Sequence, residues 1–224
     1  MAATLTTMRA TVKLKVGNKG GIDSTLDANI NNAVLYVLWA FRPQEEWATV
    51  TFNTANGTSE YTFNQAGSAL GVLDVYAFLM IRDMTKDREV LRGGMRHYNR
   101  LRQDTAVSST KGSPRRWTRN GNKLVLYARI PDSVISIKAT YLKRPAVMTA
   151  GPPAVDFPLN EEWQRPVEEY AAFLTWSDLN EGNKAATKLQ AYQALVSTMD
   201  RPEAIEDEAP EAAIRPYVDM SGAL

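Results

Sequence analysis

The chain has 224 residues, 44% of them hydrophobic, and a formal net charge of +1, enough apolar material for one sizeable domain or two small ones and unlike a disordered chain. With no cysteine and a single histidine, disulfides, thiolate metal sites and a cysteine nucleophile are excluded, and a zinc site would have to rely on carboxylates. The longest apolar run, Ala33 to Phe41, is about half the length a membrane helix needs, and the start, MAATLTTMRA, lacks the apolar stretch of a signal peptide, so none is expected.

Leu5 to Val16 carries two periods. Val12, Leu14 and Val16 alternate with Lys13 and Lys15 as in a strand, while Leu5, Met8, Val12 and Val16 recur at helical spacing. Thr4, a candidate N-cap, favours the helix. After Gly17-Asn18-Lys19-Gly20-Gly21, a second helix is expected from Asp23 or Ser24 to Arg42, stopped by Pro43. Leu26, Ile30, Val34, Val37, Leu38 and Phe41 share one face of it. Its second half is apolar nearly all round, which calls for burial in this chain or cover by another.

From Glu46 the period becomes two. EWATVTFN and SEYTF flank Asn56-Gly57, the strongest short-range hairpin signal, so these runs are expected to pair with each other. In a chain without a signal peptide, Asn56-Gly57-Thr58 marks a turn and not a glycan site. Val72 to Ile81 reads as a central strand. Between Asp83 and Gln103, Arg88, Arg92, Arg96 and Arg100 fall at intervals of four, one stripe if the segment is helical, although Gly93-Gly94 weakens that helix. Thr105 to Ser113 reads as an exposed loop. KLVLYARI and VISIKATYL, joined at Pro131-Asp132-Ser133, read as a second strand pair, ended by Pro145.

A Pro-rich connector, Ala150 to Pro158, leads to two helices. Pro166 predicts a kink or restart in the first, which places Trp163, Val167, Tyr170 and Leu174 at helical spacing. After Glu181-Gly182-Asn183 the second buries Ala185, Leu189, Tyr192, Val196 and Met199, giving an antiparallel helical hairpin. Residues 200–224 hold repeated acids and three prolines, the composition of an extended arm that orders on a partner. Ile214, Pro216, Tyr217 and Val218 are its candidate docking anchors.

Charge is uneven along the chain. Arg82 to Lys123 holds 12 Lys and Arg against 4 Asp and Glu, whereas Asn160 to Leu224 holds 5 against 13. Opposite lobes of this kind suit head-to-tail contact between copies, or else are solvated faces or pair within one chain. Catalytic motifs are missing. His97 has no nucleophile elbow to serve, GNKGG has neither the spacing nor the context of a phosphate loop, and the acid pairs lie together on helices or in the arm. The expectation is therefore a non-enzyme with no cofactor, metal or catalytic residues. Arginines interleaved with Tyr98 and Trp117 in the basic 82–123 segment leave a nucleic-acid-binding accessory protein as an alternative.

The order of several stretches resembles the head-to-tail adaptor, or connector, proteins of tailed bacteriophages. LTTMRATVKLKVG followed by STLDANINNAVLYV is similar to that family's opening helices with an Ile-Asn pair, here Ile30-Asn31. HYNRL, GSPRRWTRNGNKLVLYARIP and IKATYLKRP resemble its middle, and DFPLNEEW its entry to the helical hairpin. The similarity spans about Leu5 to Met199 and departs from the family at Pro166 and in the acidic arm.

That resemblance implies an α+β fold: a helical bundle from both chain ends, 1–45 and 150–199, with an inserted antiparallel β domain at 46–149 and an extended acidic tail at 200–224. It further implies a homo-oligomeric ring of twelve in the neck of the virion, assembled in the host cytoplasm. The ring would join the portal protein to tail or nozzle proteins, leave a channel for double-stranded DNA without sequence-specific contact, and touch no membrane. In that reading Arg92, Arg96, Arg100, Arg115 and Arg116 meet acidic neighbours, Trp117 packs at a subunit interface, and the arm reaches the portal or the next subunit. A tail-tube or fibre-attachment component of a virion is a further alternative.

Overall fold

A computed structural model of the chain describes residues 3–103, 110–150 and 155–199. It is a mixed α+β structure with five helices and one curled seven-stranded sheet. The order along the chain is α1 (Leu5–Lys15), α2 (Asp23–Phe41), β1 (Trp47–Asn53), β2 (Glu60–Thr62), β3 (Val75–Asp83), β4 (Arg88–Arg92), α3 (Met95–Gln103), β5 (Arg116–Asn120), β6 (Lys123–Tyr127), β7 (Ser136–Lys143), α4 (Gln164–Asp178) and α5 (Gly182–Ser197).

The ambiguous first segment is a helix because its start is capped. The Thr4 hydroxyl accepts from the Thr7 N–H and the Thr7 hydroxyl from the Thr4 N–H, a reciprocal capping box, while Lys13 and Lys15 suit the negative end. At α2 neither Asp23 nor Ser24 is the cap; Ile22 holds that position without a side-chain bond. The far end stops as expected, with Arg42 left-handed at φ 46 before Pro43. Pro166 sits in the first turn of α4, after a 3-10 turn at Glu161–Trp163, where no intrahelical N–H is needed. The restart that proline predicts is what the chain does.

Helices α1, α2, α4 and α5 bury one apolar core, including Met8, Val12, Ile30, Val37, Val167, Ala171 and Tyr192. The apolar second half of α2 is covered largely within the chain, with Tyr36 stacked on Tyr170 at 4.0 Å and Phe41 against Trp163 at 5.0 Å. Polar links lock the same helices. Arg9 reaches both Asp27 oxygens through Nε and Nη2, Asn29 donates to Thr175 and Asp178, and Lys15 lies 3.0 Å from Glu168 and 2.8 Å from Glu169.

The sheet order is β1-β7-β3-β4-β5-β6-β2. All ladders are antiparallel except β4–β5, which is parallel. Both expected strand pairs are corrected here. β1 does not pair with β2 but with β7, and β2 pairs with β6, so neither Asn56-Gly57 nor Pro131-Asp132-Ser133 closes a hairpin. The two connections run side by side instead. The Thr54 N–H donates to Ile135 O, the Gly57 N–H to Pro131 O and the Leu126 N–H to Ser59 O. One long two-stranded ribbon, β1 into β2 against β6 into β7, thus bends at a shared corner and supplies both outer strands of the sheet. Folding the ribbon at that corner brings Phe52 of β1 within 5.1 Å of Tyr61 of β2 and curls the sheet around Phe63, Phe78, Trp117, Leu124, Leu126 and Ile137. The curl is strong enough that we call the sheet the barrel.

The arginine stripe is also corrected. Arg88 and Arg92 lie on strand β4, Arg96 and Arg100 on α3, and Gly93-Gly94 is the break between them. A spacing of four keeps side chains on one face in a strand as well as in a helix, so the interval alone did not distinguish the two.

Candidate functional site

Across the β4–β5 ladder Leu91 faces Arg116 and Arg92 faces Trp117. Because alternate side chains point to opposite faces, this register sorts the predicted site residues into two groups. On the inner face, Trp117 is 3% exposed and packs edge-on to Phe78, with the Arg92 guanidinium 5.5 Å above its ring. Trp117, expected at a subunit interface, is therefore placed in the chain's own core, and Arg92 is the exposed group that rests on it. On the outer face lie Arg116, Val125 and Tyr127, and α3 covers Val125 and Tyr127 with Met95, Tyr98 and Leu101.

Gly93 makes that cover possible. Its N–H donates to Trp117 O at 2.8 Å, and a β-carbon there would stand 1.8 Å from the Tyr127 hydroxyl. Tyr127 in turn lies 3.1 Å from Nδ1 of His97 on α3. Arg88, a member of the same interval-of-four series, does a different job. It donates to Ser113 O and Pro114 O and sits 3.8 Å from Asp83, a carboxylate with no exposure whose other oxygen accepts from the Thr85 and Lys86 N–H groups. That anchor fixes the turn from which Arg115 and Arg116 emerge.

Cations outnumber carboxylates on this side, where Glu60, opposite Val125, pairs with Lys123 and accepts from Tyr98. Arg100 on α3, Lys111 and Arg115 on the approach to β5, Arg116 at its first position, and Arg129 beyond β6 have no ion pair among the described residues. Residues 111–115 run beside 127–130, with the Gly112 N–H bonded to Ile130 O and the Arg115 N–H to Tyr127 O. The proximity has an electrostatic signature: burial, together with the Arg116 and Arg100 charges, pushes the His97 imidazole below its ordinary value. Such a face can hold an anion. It offers no nucleophile or acid–base pair.

The structure thus brings Arg100 and Arg116 together beside His97, with Arg115 next to Arg116 at the entry to β5, sets Arg92 on the other side of the sheet, and adds Lys111 and Arg129, which the sequence reading passed over. Arg96 shares α3 with Arg100, one helical turn away. Ile214, Pro216, Tyr217 and Val218 lie outside the described residues. The C-terminal acids that are described are mostly engaged at home: Glu168 and Glu169 with Lys15, Glu169 also with Lys188, and Glu181 with Lys19 and Lys184.

Among the described residues no group of His, Asp and Glu could hold a metal ion, and no helix is long and apolar enough to cross a membrane. No curated protein matches the chain. A family profile described as SU10 adaptor protein matches residues 3–216. The agreement runs through the helices, the barrel and the basic face alike, and on it the chain belongs to the SU10 adaptor protein family and is a phage structural adaptor.

Proposed function

We propose that this protein is the head-to-tail adaptor of its phage, a ring of twelve copies in the virion neck that joins the portal to the tail and leaves a channel for the genome. The observation that carries this reading is the family match over nearly the whole chain. The helices of both chain ends would form the bundle, 1–45 with 150–199, and residues 46–149 the inserted β domain; the shared helical core supports that division. Ring closure needs a heterologous contact, one surface of a copy against a different surface of the next. The basic face fits one half of it, because Arg100, Arg115 and Arg116 have no ion pair among the described residues. Arg96, Arg100, Arg115 and Arg116 would meet acidic groups of a neighbour, with Arg92 held ready by Trp117, and Ile214, Pro216, Tyr217 and Val218 would dock on the portal or the next copy.

The test is the mass and negative-stain image of the purified protein, alone and mixed with the portal of the same phage. Rings, alone or only on the portal, are the expected result. A monomer that ignores the portal and shifts with DNA, with a steep salt dependence, would overturn this reading in favour of nucleic-acid binding.

A further inference from the structure

Five cations on and around the basic face have no ion pair among the described residues. Arg100, Lys111, Arg115, Arg116 and Arg129 are drawn together by α3, the Arg88-anchored turn and the 111–115/127–130 pairing. Like charges held together without counter-charges cost free energy that an anionic partner would recover. Residues 200–224 carry 7 Asp and Glu against 2 Arg. The described chain ends at Met199, at the end of the helical core where α2 leads into β1. The last described residues, Thr198 and Met199, follow α5 where Leu195 and Thr198 adjoin Arg165 and Glu169 at the start of α4. The start of α4 is where Trp163 packs on Phe41, the last residue of α2 before the chain enters β1. Fully extended, 25 residues reach roughly 80 Å, ample to cross the barrel or pass to a neighbour.

We infer that the acidic segment 200–224 docks on this basic face and supplies its missing counter-charge. Acids 203–211 would lie over Arg100, Lys111, Arg115 and Arg116. The inference does not depend on ring formation, since the segment can reach the face of its own copy or of another. DNA phosphate is the competing anion, and it is set against the segment in the test.

In the full-length protein, carbodiimide coupling joins a lysine to a carboxylate that touches it. Lys111 is expected to couple to Glu203, Glu206, Asp207, Glu208 or Glu211, and peptide masses from an equal mixture of heavy-nitrogen and unlabelled protein separate coupling within a copy from coupling between copies. Arg100→Glu with Arg115→Glu should lower the yield about tenfold, as should molar salt. A second variant, Glu206→Gln with Asp207→Asn and Glu208→Gln, lies outside the described core and should lower coupling to the remaining acids as strongly. Coupling that is absent, or indifferent to both variants, overturns the inference. So does a short DNA duplex that binds this face while the segment never couples. Native mass on the same sample keeps the two proposals apart: rings without coupling remove only this one, and coupling without rings removes only the ring.

Discussion

The side-chain amide of Asn31 on α2 closes two hydrogen bonds with the backbone of Met148, accepting from the Met148 N–H at 2.9 Å and donating to its carbonyl at 3.2 Å. The same Nδ2 also donates to Asp27 O, so the amide acts as a one-residue strand partner fastening the segment after β7 to the helices. Met148 is buried in the helical core at that point. Replacing Asn31 by Ala leaves a backbone donor and acceptor unsatisfied and should cost about 1–3 kcal/mol. Asn31→Asp should do no better, because its carboxylate faces two carbonyls. The check is a lower denaturation midpoint with an unchanged slope.

Gly93→Ala should detach α3 from the barrel, since the new methyl group would overlap the Tyr127 hydroxyl. Overpacking of this kind costs about 1–3 kcal/mol. Tyr127→Phe removes the hydroxyl and should recover part of the loss. Hydrogen exchange in residues 95–103 is the direct readout, faster in Gly93→Ala and slower again in the double variant.

His97 makes stability depend on pH in a defined direction. Burial, then Arg116 and Arg100, depress its folded value below the 6.5 of the unfolded chain. The unfolded state therefore binds the proton more readily, and stability is fully present above the unfolded value and lost as pH falls from there towards the folded one. His97→Gln should flatten that part of the pH profile. Docking of an anion on the basic face should flatten it too, by raising the folded value.

Lys15 holds two acids on α4 at once. Burial alone would raise the Glu169 carboxyl, but the bonds from Lys15 and Lys188 bring it below its ordinary value. Glu168 beside it is 6% exposed and also accepts from Gln164. Lys15→Met should cost about 3–5 kcal/mol by stranding buried charge. The native contribution is present above the unfolded carboxylate value and disappears as pH falls through the folded one, so the difference between native and variant melting should shrink in acid.

The flanking helices were legible because their signals are local, whereas the sequence leaves α3, after Gly93-Gly94, open. Thr4 at a cap, Pro43 after α2 and the spacing of Leu26, Ile30, Val34 and Val37 act within a few residues of where they stand. The barrel was legible in its strands but not in their partners. Asn56-Gly57 and Pro131-Asp132-Ser133 do turn the chain, yet a turn signal does not say which strand lies next, and the bent ribbon satisfies both turns without a hairpin. The basic face was half legible. Arg115 and Arg116 stood out as a pair, whereas the split between Arg92 and Arg116 is set by the parallel β4–β5 register, and Lys111 and Arg129 join only through a pairing between loops.

Trp47 and Leu142 face one another across the first rung of β1 and β7, so the chain enters and leaves the barrel through one doorway. Tension carried through the helical flanks therefore acts on that rung first, as on the open end of a zipper, and reaches the distal turns last. Those turns bear the exposed Met84 and Val134, joined there by the Met84 N–H to Ser136 O. This arrangement lets the distal loops change in length and chemistry while the rung at the doorway stays the same.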